Sequence, residues 1–243
     1  MKKSSWFLMV ILLLSIGLNA QTDTTFAESK KSKSIIKKSI LPATLILTGV
    51  ALNNSDFEKQ FTKDVRNKVG NDFEFKIDDY IQYVPTIQMY GADMLGIPSK
   101  NHWFDQTKYL AISHLATAII VHSFKRGVNK TRPNNGPHSF PSGHTATAFT
   151  GATVLFQEFK ETSPFLAYSG FAFSTTTGAF RIINNAHWLS DVVTGAGISI
   201  LVVNLVYHIE PLKNFNPFKK DKTTSLIPYY NQNEFGFYFS KTF

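Results

Sequence analysis

The sequence predicts an all-α protein, a compact bundle of about six helices followed by a small C-terminal β-hairpin. Apolar residues recur at helical spacing between residues 40 and 208. Turn-forming Gly, Pro and Asn residues separate the apolar segments, and no strictly alternating strand pattern falls among them. With 243 residues, 43% of them apolar, the chain is long enough to bury one domain core.

The first twenty residues have the pattern of a secretory signal peptide. Lys2 and Lys3 precede an apolar segment from Trp6 to Leu14, and Ala20 provides a small residue for cleavage. An uncleaved membrane anchor is the alternative. In either case the segment predicts export to the bacterial cell envelope.

Residues 21–38 are polar and contain five lysines, which predicts a basic linker. A contact with anionic lipid is the alternative role for this segment. The linker leads into the helical domain, which is predicted at residues 39–210.

The helical domain is divided by its breaker residues. The predicted helices cover residues 40–53, 79–96, 107–124, 143–160, 165–181 and 188–208. The tail, residues 211–243, contains a turn signal at 231–233, followed by Phe235, Phe237 and Phe239 at a spacing of two. This alternation predicts a hairpin that packs on the bundle.

Composition excludes some classes of protein and leaves others open. The absence of Cys excludes disulfides, thiol catalysis and a cysteine zinc site. A net charge of +8 suits nucleic acid, anionic lipid or phosphorylated substrates equally. The mean hydropathy of −0.08 is low for a chain dominated by membrane spans, although a compact bundle can turn polar faces inward.

The segment Pro141-Ser142-Gly143-His144 opens a predicted helix and has the features of an oxyanion site. Gly143 allows a ligand close to the backbone, where the first-turn N–H groups and the positive end of the helix dipole point outward. Ser142 can cap the helix and donate to an anion. His144 then lies beside the bound group, where it can transfer a proton.

A second segment pairs a histidine with a carboxylate. His187 and Asp191 are four residues apart, so a helix beginning at His187 would place them on one face. The carboxylate can then orient the imidazole and raise the basicity of its other nitrogen. Three cations, Lys125, Arg132 and Arg181, outnumber this one carboxylate, which indicates an anionic substrate with several oxygens, such as a phosphate.

These segments together resemble the signature of the type 2 phosphatidic acid phosphatase superfamily, which also contains class A acid phosphatases and vanadium haloperoxidases. The resemblance runs from Lys125 to Asp191, with six residues between Lys125 and Arg132 and five between Arg181 and His187. One position departs from it, because Phe180 stands where the family usually has Ser. That Ser is not a reacting group, so the chemistry is expected to survive.

The resemblance implies a catalytic role for three residues. His187 is expected to attack phosphorus and form a phosphohistidine, Asp191 to orient His187, and His144 to protonate the leaving alkoxide and then activate water. No metal or cofactor is implied, and vanadate is expected to occupy the phosphate site as an inhibitor. The residues expected to hold the phosphoryl oxygens are Lys125, Arg132, Ser142, Gly143 and Arg181.

The sequence therefore predicts a metal-independent phosphatase in the cell envelope. Its expected substrates are lipid phosphates or diphosphates of the phosphatidic acid, polyprenyl diphosphate or lipid A class, with membrane association, a periplasm-facing site and no nucleic-acid partner. A soluble acid phosphatase of broad specificity is the main alternative. A vanadate-dependent haloperoxidase and a non-enzymatic basic binding protein are further alternatives.

Overall fold

The computed structural model describes residues 26–70, 72–209, 212, 224–231 and 234–241, and only the backbone of 26–34, 224–231 and 241. The predicted signal peptide lies outside the described residues. Eight helices and two strands are formed within the described ranges. They are α1 (Phe26–Leu52), α2 (Asp56–Val69), α3 (Asp78–Ile81), α4 (Val84–Met94), α5 (Trp103–Val128), α6 (Gly143–Phe159), α7 (Pro164–Ile183), α8 (Leu189–Val206), β1 (Thr224–Asn231) and β2 (Glu234–Lys241).

The helical class is confirmed, but the described residues form eight helices where six were predicted. Helix α2 was not predicted because it is rich in charged residues and low in overall hydrophobicity, although its few apolar residues do follow a helical period. Ser55 caps it by accepting a hydrogen bond from the Glu58 N–H at 3.1 Å. The predicted helix 79–96 is divided into α3 and α4, because Pro85 lies in the first turn of α4 and has no N–H to donate backwards.

Helix α1 begins at Phe26, so residues 26–38 are helical where the sequence predicted a linker. Lys38 to Phe243 form one compact unit, and Met1 to Lys37 fall in a separate one.

Helix α6 is the central helix of the bundle and packs against α4, α5, α7 and α8. It is buried along most of its length because small and apolar side chains line it on nearly every side. Val154, Leu155 and Phe159 are fully buried in the core with Ala167 of α7 and Val203 of α8. This position of α6 fixes its N-terminus, where the predicted oxyanion site lies.

Helices α1 and α8 approach closely through glycines. A Cβ on Gly197 would lie 2.9 Å from the Pro42 carbonyl oxygen, and one on Gly49 would lie 2.9 Å from the Ser190 carbonyl oxygen. Backbones can come this close only where a side chain is missing, as is common between membrane helices. Two segments, Ile35–Leu52 and Leu189–Val206, are long and apolar enough to cross a membrane, a criterion that core helices and signal sequences also meet.

The C-terminal strands form the hairpin that the alternating aromatics predict. β1 and β2 pair antiparallel, with Asn231 opposite Glu234 beside the turn and Thr224 opposite Lys241 at the far end. The predicted packing of this hairpin on the bundle is not seen at its phenylalanines. Phe235, Phe237 and Phe239 are 69%, 60% and 61% exposed.

Candidate active site

The N-terminus of α6 forms one wall of the candidate site. Ser142 is its N-cap, and its Oγ accepts hydrogen bonds from the Thr145 N–H at 3.4 Å and the Thr145 hydroxyl at 3.0 Å. The Ser142 side chain is fully buried, and neither of these two bonds uses its hydroxyl hydrogen. A Cβ on Gly143 would meet its nearest neighbour, Lys125 Cε, at 3.9 Å, so the lysine side chain lies beside this helix end.

Lys125 and Arg132 are held by carbonyls of the loop between α5 and α6. Lys125 Nζ donates to the carbonyls of His138 at 2.8 Å and Ser139 at 3.4 Å. Arg132 Nε donates to the Pro137 carbonyl at 3.1 Å. Burial, helped by the charges of Arg132 and Arg181, lowers the pKa of Lys125 to about 8.

His187 and Asp191 form the predicted pair, with Nδ1 and Oδ2 3.2 Å apart. Helix α8 starts at Leu189, so the pair does not lie on one helical face as the spacing suggested. Asp191 instead reaches back over the helix start, where its carboxylate also accepts from the Trp188 N–H at 2.9 Å. His187 Nε2 has no hydrogen-bond partner among the described residues and is the nitrogen left for chemistry.

The environment of His187 keeps its imidazole neutral. The residue is only 1% exposed. Burial lowers the pKa of His187 to about 4; Lys125 and Arg181 lower it further, while Asp191 opposes them. At neutral pH, Nε2 therefore carries a lone pair that can attack an electrophile.

A buried ion pair, which the sequence analysis missed, supports Asp191. Lys130 Nζ lies 3.2 Å from Asp191 Oδ1 and 2.7 Å from Glu58 Oε1 of α2, and all three side chains are at most 3% exposed. Ser139 Oγ donates to the other carboxylate oxygen of Asp191. In the sequence, Lys130 lies between the predicted site residues Lys125 and Arg132, so its position could have marked it as a further candidate. Nothing in the sequence pointed to Glu58, because it lies far along the chain from the other site residues.

Arg181 and His144 are paired with carboxylates of α3, which were also missed. Arg181 Nη1 donates to Asp78 Oδ2 at 2.6 Å, and His144 Nε2 lies 2.8 Å from Asp79 Oδ1. Arg181 Nε is buried and has no hydrogen-bond partner among the described residues.

The structure thus gathers the predicted site residues around the N-termini of α6 and α8. The two ends are joined directly, because the Ser142 N–H donates to the Asp191 carbonyl at 3.0 Å. Electrostatic coupling links Lys125, Arg132 and Arg181 to one another. Arg181 is in turn coupled to His144.

The segment that carries this candidate site is similar to known proteins. The family model described as "PAP2 superfamily" matches residues 106–215, which contain all the predicted site residues. The chain is similar to a lipid A 1-phosphatase of Porphyromonas gingivalis, with 31% identity over 233 residues that cover 87% of this chain and 52% of that protein. The chain therefore spans about half the length of this curated relative.

Two solved structures are also similar. One is Aquifex aeolicus LpxE, with a TM-score of 0.45 and 23% identity over 60% of this chain and 94% of that one. The other is a transmembrane PAP2-type phosphatidylglycerolphosphate phosphatase from Bacillus subtilis, with a TM-score of 0.43 and 15% identity over 90% of this chain and all of that one. Over residues 106–215, the segment that carries the predicted motifs, the chain is similar to the PAP2 superfamily.

Proposed function

We propose that this protein is a metal-independent phosphatase that hydrolyses lipid phosphates through a phosphohistidine. The observation that carries the proposal is His187: it is neutral and buried, its Nδ1 is bound to Asp191, and its Nε2 is unpartnered among the described residues. A histidine in this setting is prepared for nucleophilic attack.

In the proposed complex, the phosphoryl group binds between the cations and the N-terminus of α6. Lys125, Arg132 and Arg181 supply charge, and Arg181 Nε offers an N–H that has no partner among the described residues. The Gly143 amide and the Ser142 hydroxyl add neutral donors. Together these groups match a phosphoryl group whose equatorial oxygens carry the charge of the transition state.

The first proposed step is in-line attack of His187 Nε2 on phosphorus. The P–N bond forms as the P–O bond to the leaving group breaks. His144 gives its proton to the leaving oxygen, which departs as an alcohol when the substrate is a phosphomonoester. Asp191 accepts the Nδ1–H bond of His187 and so stabilises the charge that develops on its imidazole ring.

The second proposed step is hydrolysis of the phosphohistidine. His144, now neutral, takes a proton from water as its oxygen attacks phosphorus. The P–N bond breaks, its electron pair returns to His187 Nε2, and inorganic phosphate leaves. Both histidines regain their starting protonation states.

We propose that neither step uses a metal ion. Asp78, Asp79 and His144 converge closely enough to suit a cation. However, Arg181 already pairs with Asp78 at 2.6 Å, and its charge opposes a second cation there. Vanadate, which resembles phosphate, is expected to compete for the phosphoryl site.

A lipid substrate is supported by the similarity to a lipid A 1-phosphatase and by apolar side chains that remain exposed on the helices. Phosphatidic acid and phosphorylated lipid A carry phosphomonoesters, whereas a polyprenyl diphosphate is an anhydride whose terminal phosphorus can accept the same attack but releases a phosphate as the leaving group. We also propose that the protein associates with the envelope membrane, with its site facing the periplasm. A soluble acid phosphatase is the second candidate, because the whole site also suits a small monoester.

The test is phosphate release by detergent-purified protein in the presence of a chelator, with the His187→Ala variant. His122→Ala, on the exposed side of α5, is the matched control. We expect wild type and control to release phosphate from a lipid phosphate faster than from a water-soluble monoester, and His187→Ala to lose at least about 10³-fold.

Three outcomes would change this proposal. Faster release from the water-soluble monoester would favour the acid phosphatase. Activity that the chelator abolishes would contradict the metal-independent mechanism. Retention of activity in His187→Ala would exclude His187 as the nucleophile.

A further inference from the structure

Two carboxylates lie next to a site that otherwise collects cations. Asp78 and Asp79 of α3 contact Arg181 and His144, the groups to which the phosphoryl group and its leaving oxygen are assigned. A carboxylate there repels a phosphate, so its presence needs a compensating benefit.

Asp78 fixes the position of α3. It is 1% exposed, and besides Arg181 it accepts a hydrogen bond from Asn184 Nδ2 at 2.8 Å. Asn184 also exchanges two hydrogen bonds with the backbone of Phe75, at 2.9 and 3.0 Å. These bonds tie α3 to the C-terminal end of α7, so that Asp79 is presented to His144 from a fixed backbone.

Asp79 differs from Asp78 in its contacts. Its Oδ1 lies 2.8 Å from His144 Nε2 but 3.8 Å from Arg181 Nη1, so its close partner is the imidazole. His144 Nδ1 has no hydrogen-bond partner among the described residues. In the His187–Asp191 pair the carboxylate holds Nδ1 and leaves Nε2 without a partner in the described part of the chain. In the His144–Asp79 pair the carboxylate holds Nε2 and leaves Nδ1 without one there.

The charges around His144 show what this contact does. Arg181 of α7 faces the ring with positive charge, while Asp79 and Asp78 of α3 face it with negative charge. Burial and Arg181 lower the pKa of His144, and Asp79 counters them through its hydrogen bond and its charge. The positive end of α6 adds to the effect of Arg181. Asp79 is therefore the group that most favours the imidazolium form.

We propose that Asp79 is a positioning residue that holds the His144 ring through Nε2 and favours its protonated form, so that Nδ1 delivers the proton to the leaving group. The proposal rests on the proposed function, because it needs His144 to act as the acid. Asp79 itself touches neither phosphorus nor the leaving oxygen.

The first experiment compares Asp79→Asn with the control Asp72→Asn. The control removes the same charge from an exposed residue in the stretch that precedes α3. On a lipid phosphate we expect kcat of Asp79→Asn to fall about tenfold, because general acids contribute 10²–10⁴-fold and asparagine removes only part of this. The alkaline limb of its rate profile should move to lower pH by about one unit. Asp72→Asn should match wild type, and Asp79→Glu should recover part of the loss.

Substrates with different leaving groups separate positioning from folding. A nitrophenyl phosphate leaves with little protonation, so we expect Asp79→Asn to lose less than about threefold on it while losing about tenfold on a lipid phosphate. Equal losses on both substrates would overturn the proposal in favour of a structural role. No loss on either substrate would also overturn it.

An NMR titration of the His144 ring keeps the test independent of activity. His144→Asn identifies the resonance, and Asp79→Asn should lower the pKa of that ring by about one unit relative to Asp72→Asn. An unchanged pKa would overturn the proposal. If wild-type protein shows no His187-dependent phosphate release, the proposed function fails, whereas the titration still decides whether Asp79 controls His144.

Discussion

At the scale of single residues, the two site histidines differ in how the fold surrounds them. His187 is enclosed, and its pKa of about 4 leaves it neutral at physiological pH. His144 is partly accessible and is paired with a carboxylate outside the predicted motif. In the proposed mechanism one ring attacks phosphorus and the other exchanges protons, although both are the same amino acid.

Lys125 provides a residue-scale prediction because its pKa of about 8 lies near physiological pH. The ammonium form holds below this pH and is lost above it, so affinity for inorganic phosphate should fall as the pH rises. We expect the inhibition constant of phosphate to rise about tenfold between about pH 7 and 9, the cost of losing one charge-assisted hydrogen bond. Lys125→Arg, which stays charged, should show a flat profile. A parallel rise in both proteins would contradict the assignment of Lys125 to phosphate binding.

The sequence could predict that the candidate site residues come together, because their spacing is local. Lys125 lies in the last turn of α5 and Arg132 in the loop just after it, and His187 and Asp191 lie at one helix start, so spacing alone limits their geometry. Their partners could not be found in this way. The contact between Lys130 and Glu58 joins residues 72 positions apart, and such a pairing depends on how whole helices pack.

At the scale of helices and strands, apolar periodicity predicted the helices that line the core but not the polar α2. Ser55 followed three residues later by Glu58 is a helix-start signal that could have located it. Pro85 was similarly a sufficient signal for the break between α3 and α4. The exposure of the hairpin phenylalanines could not be read from their alternation, since that pattern is the same for a covered and an uncovered strand face.

The close approach of α1 and α8 gives a prediction at this scale. In Gly49→Ala the new Cβ would lie 2.1 Å from Thr194 Oγ1 and 2.9 Å from a backbone oxygen of α8, so the helices must separate. We expect a loss of about 1–3 kcal/mol in stability, measured by thermal unfolding in detergent. Gly91→Ala is the matched control, because its Cβ meets nothing within 4 Å and should stabilise α4 by about 0.5–1 kcal/mol. Similar melting shifts in both variants would show that α1 does not pack tightly on α8.

At the scale of the whole molecule, large apolar side chains remain exposed on α1 and elsewhere. Ile40 and Leu47 are 60% and 69% exposed and lie seven residues apart, on one side of a helix that satisfies the length for a membrane span. An aqueous surface rarely keeps so many apolar side chains together. A lipid environment would cover them at no cost.

Whether the exposed apolar side chains of α1 contact lipid can be tested by measuring how much of the protein stays in the membrane fraction. The double variant Ile40→Lys, Leu47→Lys should move from the membrane pellet to the supernatant after alkaline extraction, because each lysine costs about 2.5–3.5 kcal/mol at the centre of a spanning helix. The control Asn67→Lys adds charge on the polar helix α2 and leaves the apolar side of α1 unchanged. It should remain in the membrane pellet, as wild type does. Retention of the double variant would show that another surface anchors the protein.

Under the proposed function, the hydrogen bond from the Ser142 N–H to the Asp191 carbonyl limits how the protein could take a different substrate. It joins the two helix starts that carry the reactive groups, so neither can shift without the other. If the substrate is a lipid phosphate, as proposed, adaptation to a new lipid would therefore have to change the segments that reach the site from outside this joined pair. We expect laboratory evolution for a new headgroup to accumulate changes around α3 and to leave the residues at the two helix starts untouched.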